Sequence, residues 1–186
     1  MNLVLDIIKS RRSNRAFKKD IQIPNEELEK ILEAGIWAPS GHNHQPYFFT
    51  VIQNKELIKD LNYLSKESGK NFTDEIIKKM CENEIFNIFY DAPTIIIVSY
   101  DKEAVTPIED TSAAVQNILL ASQSLGIANC WIGIPRKYFF EMTDEEKEKF
   151  GIPKGFIPHH VIALGYAKAE ILNAPKRDKE YVKFMR

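Results

Sequence analysis

Apolar residues fall at helical spacing from the start of the chain. Leu3, Val4, Ile7 and Ile8 predict a short amphipathic helix over residues 3–10. A second helix opens with Pro24 in its first turn and Glu26 and Glu27 beside the positive end of its dipole. It is expected to bury Leu28, Ile31, Leu32, Gly35 and Ile36 and to stop at Pro39. After a polar loop, residues 47–52 are aromatic and β-branched enough to form a strand. Residues 55–90 read as helical, with a break around 68–71, and residues 94–100 as a fully buried strand. Thr106, Pro107 and Glu109 have the spacing of a capping box with a first-turn proline. The helix they open carries Ala114, Ile118, Ala121 and Leu125 on one face, and Gly126 ends it in the left-handed position. Residues 128–134 and 159–166 predict two further strands, and Thr143 with Glu146 a second capping box.

Helices and strands alternate only loosely, so the class is mixed α/β or α+β around one sheet. No repeat, low-complexity tract or long linker divides residues 1–186, which read as a single domain. Residues 172–186 mix charged and aromatic side chains without clear period, as in a tail that packs on a neighbour or one that frays.

Composition narrows the function classes. With 44% hydrophobic and 27% charged residues, the chain is globular rather than disordered. A formal net charge of -1 gives no basic excess for a nucleic-acid backbone or an anionic membrane. Two cysteines, Cys81 and Cys130, cannot make a disulfide framework and read as reduced thiols. No secretory leader and no membrane-length apolar run is visible, so a cytoplasmic location is expected. The glycine fingerprints of dinucleotide and P-loop sites are missing, as are the zinc-protease and serine-hydrolase motifs. His42 with His44, and His159 with His160, lack neighbouring carboxylates or thiols, so no metal site is expected. The second pair reads as a turn before a strand.

Four clusters remain. In an extended segment Arg11, Ser13 and Arg15 point the same way, presenting two guanidiniums and a hydroxyl to one spot. That suits a phosphate, and equally a solvated turn after a helix. The run Pro39-Ser40-Gly41-His42-Asn43-His44-Gln45-Pro46 combines small residues with amides that can read the edge of a planar ring, or is an ordinary polar loop. In the run Asn129-Cys130-Trp131-Ile132-Gly133, the aromatic and the glycine at a strand end can pack against a flat ligand, or Trp131 can simply fill core. Lys176 and Arg177 add cations in the tail.

In their order, these clusters resemble the FMN-dependent nitroreductase family. Arg11 to Phe17 is similar to its opening Arg-x-Ser-x-Arg-x-Phe motif, and residues 38–46 to its Pro-Ser-Gly loop. Asp110, Gln116 and Asn117 look like its central helix, and Gly126 to Gly133 resembles its G-x-x-x-x-W-I-G segment. Gly165-Tyr166 and Pro175-Lys176-Arg177 complete the pattern.

That resemblance implies a homodimer built on a small mixed or antiparallel sheet flanked by helices. The C-terminal tail is exchanged onto the partner subunit, and two FMN molecules lie at the interface. Arg11, Ser13, Arg15 and either Lys176 or Arg177 would hold the phosphate and ribityl chain, with Arg12 reaching the ring system. Pro39, Ser40 and Gly41 of the other subunit would line the isoalloxazine, with Asn43 and Gln45 close by. Trp131, Ile132 and Gly133 would lie along the ring, and residues 64–90 would form the lid. The implied activity is an FMN-dependent NAD(P)H oxidoreductase. It reduces nitro compounds, quinones or similar small acceptors by ping-pong hydride transfer through flavin N5, and no side chain is the catalyst. The alternatives are a dehalogenase or flavin-destructase of the same superfamily, or a non-catalytic flavin-binding module.

Overall fold

A computed structural model of the protein describes residues 2–171, 173–177 and 182–186. Four strands form one sheet: β1 (Tyr47–Ile52), β2 (Thr94–Asp101), β3 (Ala128–Ile132) and β4 (Phe156–Gly165). Their spatial order is β1-β2-β4-β3, and every neighbouring pair is antiparallel. The helices are α1 (Leu3–Ser10), α2 (Asn25–Ile36), α3 (Lys55–Gly69), α4 (Glu75–Glu82), α5 (Pro107–Ser124), α6 (Pro135–Glu141) and α7 (Asp144–Lys149).

The period of two along β2 and β4 divides the core. Ile96, Val98, Ile162 and Leu164 face α2 and α5, where they meet Ile31, Val115 and Ile118. Ile95, Ile97, Val161 and Ala163 face the other way, onto Leu61, Phe89, Tyr138 and Phe139. Both faces are covered, which explains why the central strands read as unbroken apolar runs rather than as an alternation.

Local chemistry sets several boundaries. Pro24 caps α2 from outside, its carbonyl accepting from Glu27 and Leu28, instead of entering the first turn. The helix ends at Ile36, before Pro39, and Ile36 is exposed. Residues 83–91 are turns, so the predicted helical stretch stops at Glu82. The buried stripe of α5 is Thr111, Ala114, Val115, Ile118, Leu119 and Ser122. It is rotated from the expected face because the sheet takes Val115 and Leu119, leaving Leu125 exposed. Gly126, at φ +73°, completes a Schellman end: its N–H reaches the Gln123 carbonyl, and that of Ile127 reaches Ser122. The Thr143–Glu146 capping box forms. The one expected at Thr106 and Glu109 does not, because the Thr106 hydroxyl turns to Asp110.

β4 starts at Phe156, three residues before the predicted 159, so the histidine pair sits inside the strand and not at its entry. The register slips between Val98 and Ser99, which pair with His160 and Pro158 and leave His159 as the extra residue of a bulge. His159 and His160 are therefore buried members of a strand and not a turn. The expected exchange of the tail falls partly on residues 172 and 178–181, which lie outside the described residues.

Candidate cofactor site

Beyond α1 the chain runs extended along the sheet edge. Ser13 bridges Asn129 in parallel, Asn14 N–H donates to the Asn129 carbonyl at 2.8 Å, and Phe17 bridges Ala167. Alternation turns the buried Asn14 away from Arg11, Ser13 and Arg15, which gather over Cys130 on β3, and Phe17 is buried where the segment ends. Burial pushes the Cys130 thiol up, against the pull of Arg15, Arg11 and a hydrogen bond with Ser13. Desolvation holds the Arg11 guanidinium below its ordinary value, and the positive charges of Arg12 and Arg177 act in the same direction. Arg11, with Arg15 over the same Cys130 and Arg177 nearby, makes a cationic spot that an anion relieves. Lys176, beside Arg177, is exposed.

Asn129 anchors this cluster, a role that its place in the run of residues 129–133 did not announce. It is fully buried, accepts from Arg11 at 3.2 Å, and donates to the Leu119 carbonyl and the Ser122 hydroxyl. An asparagine inside an apolar strand was the available signal, since such a residue must find partners. Arg12 faces a different cavity, of about 560 Å³, with Asn14, Lys18 and Tyr166. Its guanidinium donates to the Lys9 and Arg11 carbonyls, at 2.8 Å each.

From Asn129, β3 leads towards the second part of the site. Gly133 lies four residues on, about 13 Å at strand spacing. A side chain there would meet nothing within 4 Å, so the backbone faces open space. Ile132 is buried, while Trp131 is exposed and packs edge-on against His160, ring centroids 5.0 Å apart. The His160 ring also meets Ser112 on α5 at 3.3 Å. Burial, with His159 and Arg136 nearby, depresses His160 to about 3, which keeps the ring neutral.

The third part is the loop between α2 and β1. His42, Asn43 and Gln45 all have positive φ, 52°, 56° and 49°. Asx and amide chemistry tolerates such angles better than branched side chains do. Inside the loop, Gln45 N–H donates to Ser40 Oγ at 2.9 Å and Gln45 Nε2 to Asn43 Oδ1 at 3.1 Å. Pro39 and Asn43 are exposed, and Ser40 and Gly41 half-buried. Gly41 N–H donates to Asp110 Oδ1 at 3.1 Å. Ser122 lies twelve residues beyond Asp110, so the loop and the Arg11 cluster are fixed about 18 Å apart along α5.

The donor set suits FMN. A phosphate fits the cations at the Asn129 end, and a planar ring fits the open backbone at Gly133. Among the described residues no helix is long and apolar enough to cross a membrane.

Comparison with known proteins identifies the family and the fold. The model of the Nitroreductase family matches residues 8–166. A protein of Archaeoglobus fulgidus, provisionally named NADH dehydrogenase/NAD(P)H nitroreductase, is 36% identical over 172 residues, 91% of this chain and 88% of its own. The crystal structure of a nitroreductase with bound FMN from Desulfitobacterium hafniense superposes with a TM-score of 0.89 at 30% identity, over 100% of both chains. One from Bacteroides fragilis, also with bound FMN, gives 0.87 at 31%, again over 100% of both. From the arginine-lined strand through the Gly41 loop to the last strand of the sheet, the chain belongs to the Nitroreductase family.

Proposed function

We propose that this protein is an FMN-dependent NAD(P)H oxidoreductase that reduces small organic acceptors such as nitro compounds and quinones. The observation that carries the reading is the axis along β3, with Arg11, Ser13 and Arg15 over Cys130 at one end and open backbone at Gly133 at the other. Arg11, Arg15 and Arg177 neutralise the phosphate, Ser13 donates to it, and Asn129 holds Arg11 in place. FMN, when bound, supplies reversible two-electron chemistry between a nicotinamide and the acceptor. The chain's own part is to bind, orient and leave one face of the ring accessible, so no side-chain acid or base is required.

The working unit in this reading is a homodimer whose Pro39–Gln45 loop covers the ring of the other subunit. Exposed apolar side chains support a partner: Leu3, Val4 and Ile8 on α1, and Val182, Phe184 and Met185 in the tail. The free thiols Cys81 and Cys130 suit the cytoplasm.

The test is the visible spectrum of the purified protein, with and without added FMN, before and after anaerobic NADH or NADPH. Flavin bands that bleach on addition support an FMN reductase. Bands that persist leave only a flavin-binding module, and no bands after soaking with FMN refute the reading.

A further inference from the structure

Asp110 is 6% exposed. Among the described residues its recorded partners are uncharged: Gly41 N–H at 3.1 Å and the Thr106 hydroxyl at 3.1 and 3.3 Å to its two oxygens. A buried charge without a cation is costly, and beside these two donors only its place near the positive end of the α5 dipole offsets that cost. The Thr106 hydroxyl forgoes its own capping bond to reach this carboxylate. Gly41 fits the arrangement because it has no side chain: a Cβ there would lie 2.4 Å from Thr106 Oγ1. The loop beyond it holds three non-glycine residues at positive φ, each a strained conformation that persists only when its surroundings impose it.

We propose that Asp110 is a positioning residue, which with Thr106 clamps Gly41 and holds the Ser40–Gln45 loop in the shape needed to cover a bound flavin. This rests on the FMN reading above. It assigns the loop's conformation to the central helix and not to the loop's own sequence. An Asp110→Ala variant loses the acceptor. An Asp110→Asn variant keeps an oxygen for Gly41 N–H.

Two measurements separate this proposal from the reading beneath it. The first is amide hydrogen exchange on flavin-free protein. Asp110→Ala should speed exchange at residues 41–45 about tenfold, the scale of one lost charge-assisted bond, and leave the sheet unchanged. The second is titration with FMN, followed by flavin fluorescence and visible circular dichroism. The dissociation constant should rise about tenfold in Asp110→Ala with an altered dichroism band, while Asp110→Asn stays near wild type. If Asp110→Ala fails to fold, Thr106→Val carries both measurements, with about a threefold effect expected from losing one neutral hydroxyl bond. Unchanged exchange overturns the clamp. Faster exchange with unchanged flavin affinity overturns the positioning role. A wild-type protein that takes up no FMN overturns the cofactor reading and this role with it, and the exchange result still decides the clamp.

Discussion

Asn129 accepts a hydrogen bond from the Arg11 guanidinium at 3.2 Å while its own amide nitrogen donates to the Leu119 carbonyl and the Ser122 hydroxyl of α5. One buried amide thus ties the cationic strand to the central helix. Replacing Asn129 with Ala should lower stability by about 1–3 kcal/mol, because the buried bonds to the Leu119 carbonyl and the Ser122 hydroxyl are lost and Ser122 keeps only its own donation to Leu119. It should also weaken FMN binding, although every cation remains. Urea unfolding and an FMN titration of one preparation test both effects. A variant that loses stability but binds FMN normally would show that Arg11 needs no anchor.

The cations themselves should matter more. Arg11→Ala or Arg15→Ala removes a charge-assisted contact worth about 1.5–3 kcal/mol, so FMN affinity should fall by tenfold or more. Arg11→Lys should recover only part of it, since an ammonium cannot keep both the Asn129 bond and a forked contact with a phosphate. Flavin content after purification and a binding titration check this. Full flavin occupancy in both alanine variants would dismiss the phosphate assignment.

The parts of the fold written in local pattern were legible: the strands at 47–52 and 94–101, the Gly126 stop and the Thr143 capping box. What escaped depends on neighbours distant in sequence. Thr106 and Glu109 satisfy a capping-box spacing, yet the threonine is drawn to Asp110 because that carboxylate is buried against Gly41. His159 and His160 look like turn residues until β2 slips its register and admits a bulge. The α5 face was misjudged because a long helix with many small residues carries little amphipathic contrast, and the sheet decides which side is buried. For the site, Arg11, Ser13 and Arg15 all lie near Cys130, and a polar Asn129 inside an apolar strand signals a need for partners without saying that Arg11 is one of them.

Lys66 offers a test in the segment expected to be the lid. Its ammonium is buried and donates to the carbonyls of Asn83 at 2.7 Å, Phe86 at 3.0 Å and Glu84 at 3.4 Å, fastening that turn to α3. The turn lines a cavity of about 370 Å³ shared with Arg15. Lys66→Met keeps the apolar stem and removes the donor, leaving carbonyls unpaired at a cost of about 2–3 kcal/mol. Limited proteolysis should then cut within residues 83–91 faster than in wild type. Unchanged cleavage there would mean that the turn holds itself.

His160 gives the protein a defined acid response. In the folded chain burial, His159 and Arg136 hold its imidazole at about 3, against 6.5 when unperturbed. Between those values the unfolded chain binds the extra proton and the folded chain does not. Its contribution is therefore fully present above pH 6.5 and is lost as pH falls towards 3, with a slope of up to about 1.4 kcal/mol per unit. His159, also depressed by burial and by Arg136, acts with the same sign. Glu141 and Glu146 are held below the usual carboxylate range, so their effect begins at lower pH. Urea midpoints at about pH 7 and pH 5 isolate the histidines, whose unperturbed value lies between. His160→Gln, which can still meet the Ser112 hydroxyl, should flatten the difference between the two pH values. An equal slope in wild type and variant would show that His160 takes up its proton at the same pH in the folded and unfolded chain, and that burial against Trp131 does not hold the ring neutral.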